Sequence, residues 1–177
     1  DMGLDVSAID VLMVFPSWGL GEGAVYQLDN VEIKAPSPEV VFFDDGENPD
    51  WVMWDCCGGS MPTEELDDDD HGLVAQFSIG EAPTVMGFIT RGANGGDTPF
   101  DASAILETGV FEFEMKVVDA PSSPDASWLI KLESSDGATA VELPITDSQE
   151  GVAPVTGEWQ TYTFKLSDLS AAGLDVS

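Results

Sequence analysis

Eight short runs, most of them alternating apolar with polar residues and each cut off by glycine, proline, aspartate or serine, constrain this chain more than any other feature. They fall at residues 25–33, 40–43, 73–79, 84–91, 109–118, 127–133, 139–143 and 160–166. Period two marks strands whose two faces meet different surroundings, and the Val, Ile, Phe and Thr content suits a pleated, half-buried surface. Strands this short and frequent predict an all-β fold, a jelly-roll β-sandwich of two antiparallel sheets. Helical periodicity is confined to a turn around residues 167–172, with Ser167 as its expected cap. With 177 residues, 43% of them hydrophobic, the chain is long enough to bury one sizeable core.

The charge balance narrows the partners. Five Lys and Arg stand against 34 Asp and Glu, a formal net charge of -29. Nucleic acid and anionic membrane surfaces would be repelled. So large an excess also repels itself, and it is best tolerated where salt screens it or divalent cations neutralise part of it. A saline habitat, bound structural calcium, or both are expected; an acidic halotolerant surface with no specific ion is the plainer alternative. The longest apolar run, residues 11–15, stops at Pro16 and is far too short to span a bilayer. Residues 1–20 lack the basic start of an export signal, so for an extracellular protein that signal is expected outside this sequence.

The chain ends carry a repeat: Gly3-Leu4-Asp5-Val6-Ser7 recurs as Gly173-Leu174-Asp175-Val176-Ser177. Overlaying the copies makes residues 1–33 the final strands of a sandwich repeat, residues 34–39 a proline-stiffened linker and residues 40–177 the remainder, one domain in total. A sandwich lacking two strands exposes an apolar groove and unpaired edges. The first strands therefore either close on their own chain, as in a circular permutant, or are donated to a neighbour, giving self-association by strand exchange. A chance repeat of five residues is the third reading.

Five segments carry a family resemblance: Asp50-Trp51-Val52-Met53-Trp54-Asp55-Cys56-Cys57-Gly58-Gly59, Phe88-Ile89-Thr90-Arg91, Phe111-Glu112-Phe113-Glu114-Met115-Lys116, Gly157-Glu158-Trp159-Gln160-Thr161-Tyr162-Thr163-Phe164 and Tyr26-Gln27-Leu28-Asp29-Asn30-Val31. Read in permuted order, the chain resembles the jelly-roll carbohydrate-binding modules attached to secreted marine laminarinases and related β-glucanases. The resemblance implies an extracellular, non-catalytic module that binds a laminarin-like β-1,3-glucan. It also implies a structural calcium held by Asp29, Asp44, Asp45 and Glu47.

Glycan recognition needs flat aromatic faces for pyranose rings and planar polar groups for hydroxyls. Trp51 and Trp54 lie in a segment expected to be irregular or at an edge, and Trp18 lies in a glycine-rich loop. Each reads as a binding platform or as core; Trp159, heading an alternating strand, reads as core. Alternation over residues 127–133 sets Trp128, Ile130 and Leu132 on one face and Leu129, Lys131 and Glu133 on the other. Lys131, Glu133 and Arg91 are candidates for bonding sugar hydroxyls, against the alternative of ion pairs with the abundant carboxylates.

Cys56 and Cys57 are adjacent and are the only cysteines, so an oxidising compartment favours a vicinal disulfide shaping the tryptophan loop, with free thiols as the alternative. The acidic run at residues 67–70 reads as a solvated loop that only faintly resembles a calcium loop. His71 is the lone histidine, so a Ser/His/Asp or Cys/His nucleophile has little support, and no enzyme is expected. A structural or adhesive repeat that polymerises by strand donation is the rival reading.

Overall fold

The computed structural model describes residues 9–34, 40–55, 64–80, 85–90, 99–134 and 139–172. Its strands are β1 (Ile9–Pro16), β2 (Val25–Lys34), β3 (Val40–Phe43), β4 (Trp51–Asp55), β5 (Glu64–Asp68), β6 (Gly72–Ser78), β7 (Met86–Thr90), β8 (Val110–Asp119), β9 (Trp128–Ser134), β10 (Thr139–Pro144) and β11 (Trp159–Lys165), followed by the short helix α1 (Leu166–Ala171). Sheet A has the order β10-β9-β1-β7-β4 and sheet B the order β11-β8-β2-β6-β5, with β3 also paired to β2. All these pairings are antiparallel, and the two sheets stack as the expected all-β sandwich. β1 lies between β7 and β9, and β2 between β6 and β8, so the first segment of the chain supplies a central strand to each sheet.

Alternation explains the core. Along β8, Phe111, Phe113, Met115 and Val117 are buried inward, while Glu112, Glu114 and Lys116 face out. Tyr162 and Phe164 of β11 continue the aromatic layer, with Phe113 and Tyr162 ring centroids 5.4 Å apart. Tyr26 donates its hydroxyl to the Val14 carbonyl at 2.5 Å, which satisfies a polar atom that burial would otherwise strand. Trp51 packs edge-on against Phe42 at 4.3 Å.

A bulge in β2 re-phases the strand. The pairing with β8 slips between Asp29 and Glu32, and Asn30 adopts φ 50°, a left-handed conformation that Asn tolerates better than most residues. Strict alternation from Tyr26 and Leu28 would turn Val31 and Ile33 outward; the extra residue turns both into the core.

Two local expectations change. The segment expected to be irregular or at an edge is the edge strand β4, in agreement with the second alternative. The acidic stretch read as a loop begins earlier as β5, whose charges suit an edge that no further strand should join. Helix α1 starts after Lys165 with no side-chain cap, so Ser167 is inside the helix.

Candidate functional site

The outward faces of the two sheets are chemically different. On sheet A, the register across β4, β7, β1, β9 and β10 aligns Trp54, Gly87, Met13, Lys131 and Glu142 in one row. The next row is Val52, Ile89, Val11, Glu133 and Ala140. Val11, Met13, Phe15 and Val85 form a second, smaller apolar cluster, with Trp54, Ile89 and Leu129 packed on it. Gly87 cannot carry a side chain here: a Cβ would lie 1.9 Å from the Leu12 carbonyl oxygen, within the backbone of the neighbouring strand.

Trp18, on the loop after β1, stands over this face at 43% exposure. Its ring meets Phe15 edge-on at 5.0 Å, its Nε1–H donates to Glu142 at 2.8 Å, and the Lys131 ammonium sits 5.4 Å from the ring centroid. Lys131 also pairs with Glu133. An exposed indole is thus held in a fixed orientation among a cation and two carboxylates. Such a patch has both an apolar face and hydrogen-bonding groups.

On sheet B, Asp29 of β2 and Glu114 of β8 are direct cross-strand partners. Asn30 Nδ2 bridges them, donating to Glu114 at 2.6 Å and Asp29 at 3.3 Å. His71, in the turn between β5 and β6, places Nε2 3.4 Å from Glu114, and its ring stacks on Trp159 with centroids 4.0 Å apart. Gly72 allows that turn: it has φ 65°, and a Cβ would fall 2.5 Å from an Asp45 carboxylate oxygen. Ligand atoms of Asp29, His71 and Glu114 all lie within 4.8 Å of one another, so these three could hold a metal ion. Burial pushes the Asp29 carboxyl above its ordinary range; the Asn30 backbone N–H and His71 oppose the shift, and Asp44 and Glu114 add to it.

The candidate residues distribute unevenly. Trp18, Trp54, Lys131 and Glu133 share the outer side of sheet A, and the division of β9 into two faces is the one expected from alternation. Trp51 is core at 3% exposure, because its position on β4 is opposite in phase to Trp54. Trp159 faces outward on sheet B beside Lys116 and stacks on His71 instead of joining the core between the sheets. Arg91, Cys56, Cys57, residues 35–39 of the expected linker 34–39 and both copies of the terminal repeat lie outside the described residues, while Lys34 is the last residue of β2.

Of the four residues expected to hold calcium, Asp29 alone belongs to the metal-capable group. Asp45 accepts the Leu73 N–H at 2.9 Å, Glu47 accepts the Met53 N–H at 2.6 Å, and Asp44 is exposed. Local sequence could not indicate His71 and Glu114 as partners of Asp29, because the grouping depends on a hairpin turn and on cross-strand register. Their residue types were the only available signal.

Described residues line two clefts of comparable size, among others. One, of about 410 Å³, is lined by groups such as Pro121, Pro124, Trp128 and Pro154 and contains no titratable side chain. The other, of about 370 Å³, lies beside Asp147, Lys165 and Asp168. Neither contains the Asp29 group. Among the described residues no helix is long and apolar enough to cross a membrane. No family model, no curated protein and no solved structure matches this chain.

Proposed function

We propose that this chain is a non-catalytic, extracellular glycan-binding module that holds a laminarin-like β-1,3-glucan against the outer side of sheet A. The observation that carries the reading is Trp18, exposed yet fixed by Glu142, Phe15 and Lys131. The exposed part of its ring would take the apolar side of a pyranose, and Lys131, Glu133 and Glu142 beside it would exchange hydrogen bonds with hydroxyls. Trp54 extends the same face; Arg91, a candidate for its planar donor fork, lies outside the described residues.

The test is calorimetric titration with soluble laminarin and with oligosaccharides of other linkages. Binding is expected at millimolar to micromolar strength, weakened at least tenfold by Trp18→Ala. Undiminished heat in that variant would remove Trp18 from the site; no heat with any glycan would remove the reading. Of the four calcium ligands implied by the resemblance, Asp29 alone stands in the metal-capable group, together with His71 and Glu114.

The repeated pentapeptide at the chain ends favours a second reading, a structural repeat that self-associates by exchanging β1 and β2. Sedimentation separates the two. A concentration-independent mass of 18.8 kDa would exclude exchange for this chain, and a ladder of multiples would support it.

A further inference from the structure

On the outer side of sheet B, two pairs of carboxylates face each other across β2 and β8: Glu32 with Glu112, and Asp29 with Glu114. Like charges directly opposed across strands repel. The first pair is neutralised by Lys34, whose ammonium lies 2.7 Å from Glu32 and 2.6 Å from Glu112. The second pair has no lysine. Asp29 is nevertheless the more deeply buried, at 2% exposure, and its Oδ1 has no hydrogen-bond partner. A buried carboxylate oxygen without a partner is costly, and Asp29 offers a carboxylate oxygen within 4.8 Å of ligand atoms of Glu114 and His71.

We propose that Asp29, His71 and Glu114 bind one divalent cation of the zinc class, which fastens the β5–β6 turn onto the β2–β8 pair. Imidazole nitrogen with two carboxylates is a donor set for zinc-like ions, which take three protein ligands and leave a position for water. Calcium takes six to eight oxygens and has no use for an imidazole in its shell. The surroundings match what orients a metal-bound histidine. His71 Nδ1, on the other side of the ring from Glu114, is buried without a partner, and Asp68 Oδ1 lies 3.7 Å away, one small shift from accepting its proton. Lys116 holds the other oxygen of Asp68. Trp159 stacks flat on the imidazole and fixes its plane. Asn30, by donating to both carboxylates, sets their spacing.

The experiment uses the whole chain, stripped with a chelator and titrated calorimetrically with zinc, manganese and calcium, with melting temperature followed in parallel. One zinc per chain is expected, at least tenfold tighter than calcium and raising the melting temperature by mass action. Affinity should fall at least tenfold in His71→Gln and, independently, in Glu114→Gln. It should be unchanged in Glu158→Gln, which removes one exposed charge elsewhere. Reading the two site variants separately, each checked by circular dichroism, keeps the test decisive if one fails to fold. Zinc uptake equal in wild type and His71→Gln would mean adsorption to an acidic surface and overturn the site. Tighter calcium binding indifferent to His71→Gln would overturn the ion class. The absence of any stoichiometric ion would overturn the proposal.

Discussion

Outward positions of β1 on sheet A carry Val11, Met13 and Phe15, whereas those of β8 on sheet B carry Glu112, Glu114 and Lys116. Both strands are antiparallel and have two hydrogen-bonded neighbours, so backbone geometry does not separate them. On sheet A the outward side chains form a second apolar layer with Trp18 over it. On sheet B they form a ladder of carboxylates in which scarce cations are placed opposite opposed acids. A sandwich has one interior, so the outer side of each sheet can be spent on different work: one offers an aromatic contact surface, the other manages charge.

The largest effect should come from the layer on sheet A. Phe15 is fully buried although it faces away from the main core. Phe15→Ala should cost about 3 kcal/mol in urea unfolding, the range for an internal aromatic truncation. A cost below about 1 kcal/mol would show that this face is merely covered surface, and the contrast between the sheets would disappear.

Sheet B should respond less, and in a salt-dependent way. Lys34→Met leaves Glu32 opposite Glu112, and with Lys34 partly exposed the expected loss is about 1 kcal/mol or less. Raising salt to molar strength should shrink the difference between variant and wild type by screening the repulsion. A loss that ignores salt would point to packing of the lysine stem instead.

The smallest effect is expected at Glu150. Burial pushes its carboxyl up, but hydrogen bonds from the Thr163 backbone and hydroxyl, its own backbone N–H and Ser148 outweigh it, and the net shift is downward. A lowered folded value means the stabilisation is fully present above the ordinary glutamate range and is lost as pH falls through the lowered value. Glu150→Gln should therefore lose a few tenths of a kcal/mol at neutral pH, as suits an exposed site. The gap should close in acid; a gap that persists there would mean the hydrogen bonds, and not the charge, carry the effect.

The sandwich class and most strands were legible from alternation because period two is a local property of the chain. β4 and β5 were not, since a run such as Glu64-Glu65-Leu66-Asp67-Asp68 has little strand propensity and is held as an edge by pairing to β6. Tryptophan placement shows the same limit. Trp51 and Trp54 share a strand and a composition, and opposite phase on β4 sends one into the core and the other to the surface.

By itself, the sequence determined which residues of each clear strand point together and that carboxylates far outnumber cations. Only the tertiary structure decided which outward residues meet. Asn30 and Glu114 are 84 positions apart and bonded at 2.6 Å. That contact requires the β2–β8 register, the bulge at Asn30 and the turn that brings His71 over both strands. Register arises from pairing between distant segments, and burial of Val31 and Ile33 selects it, so no window of local sequence contains it.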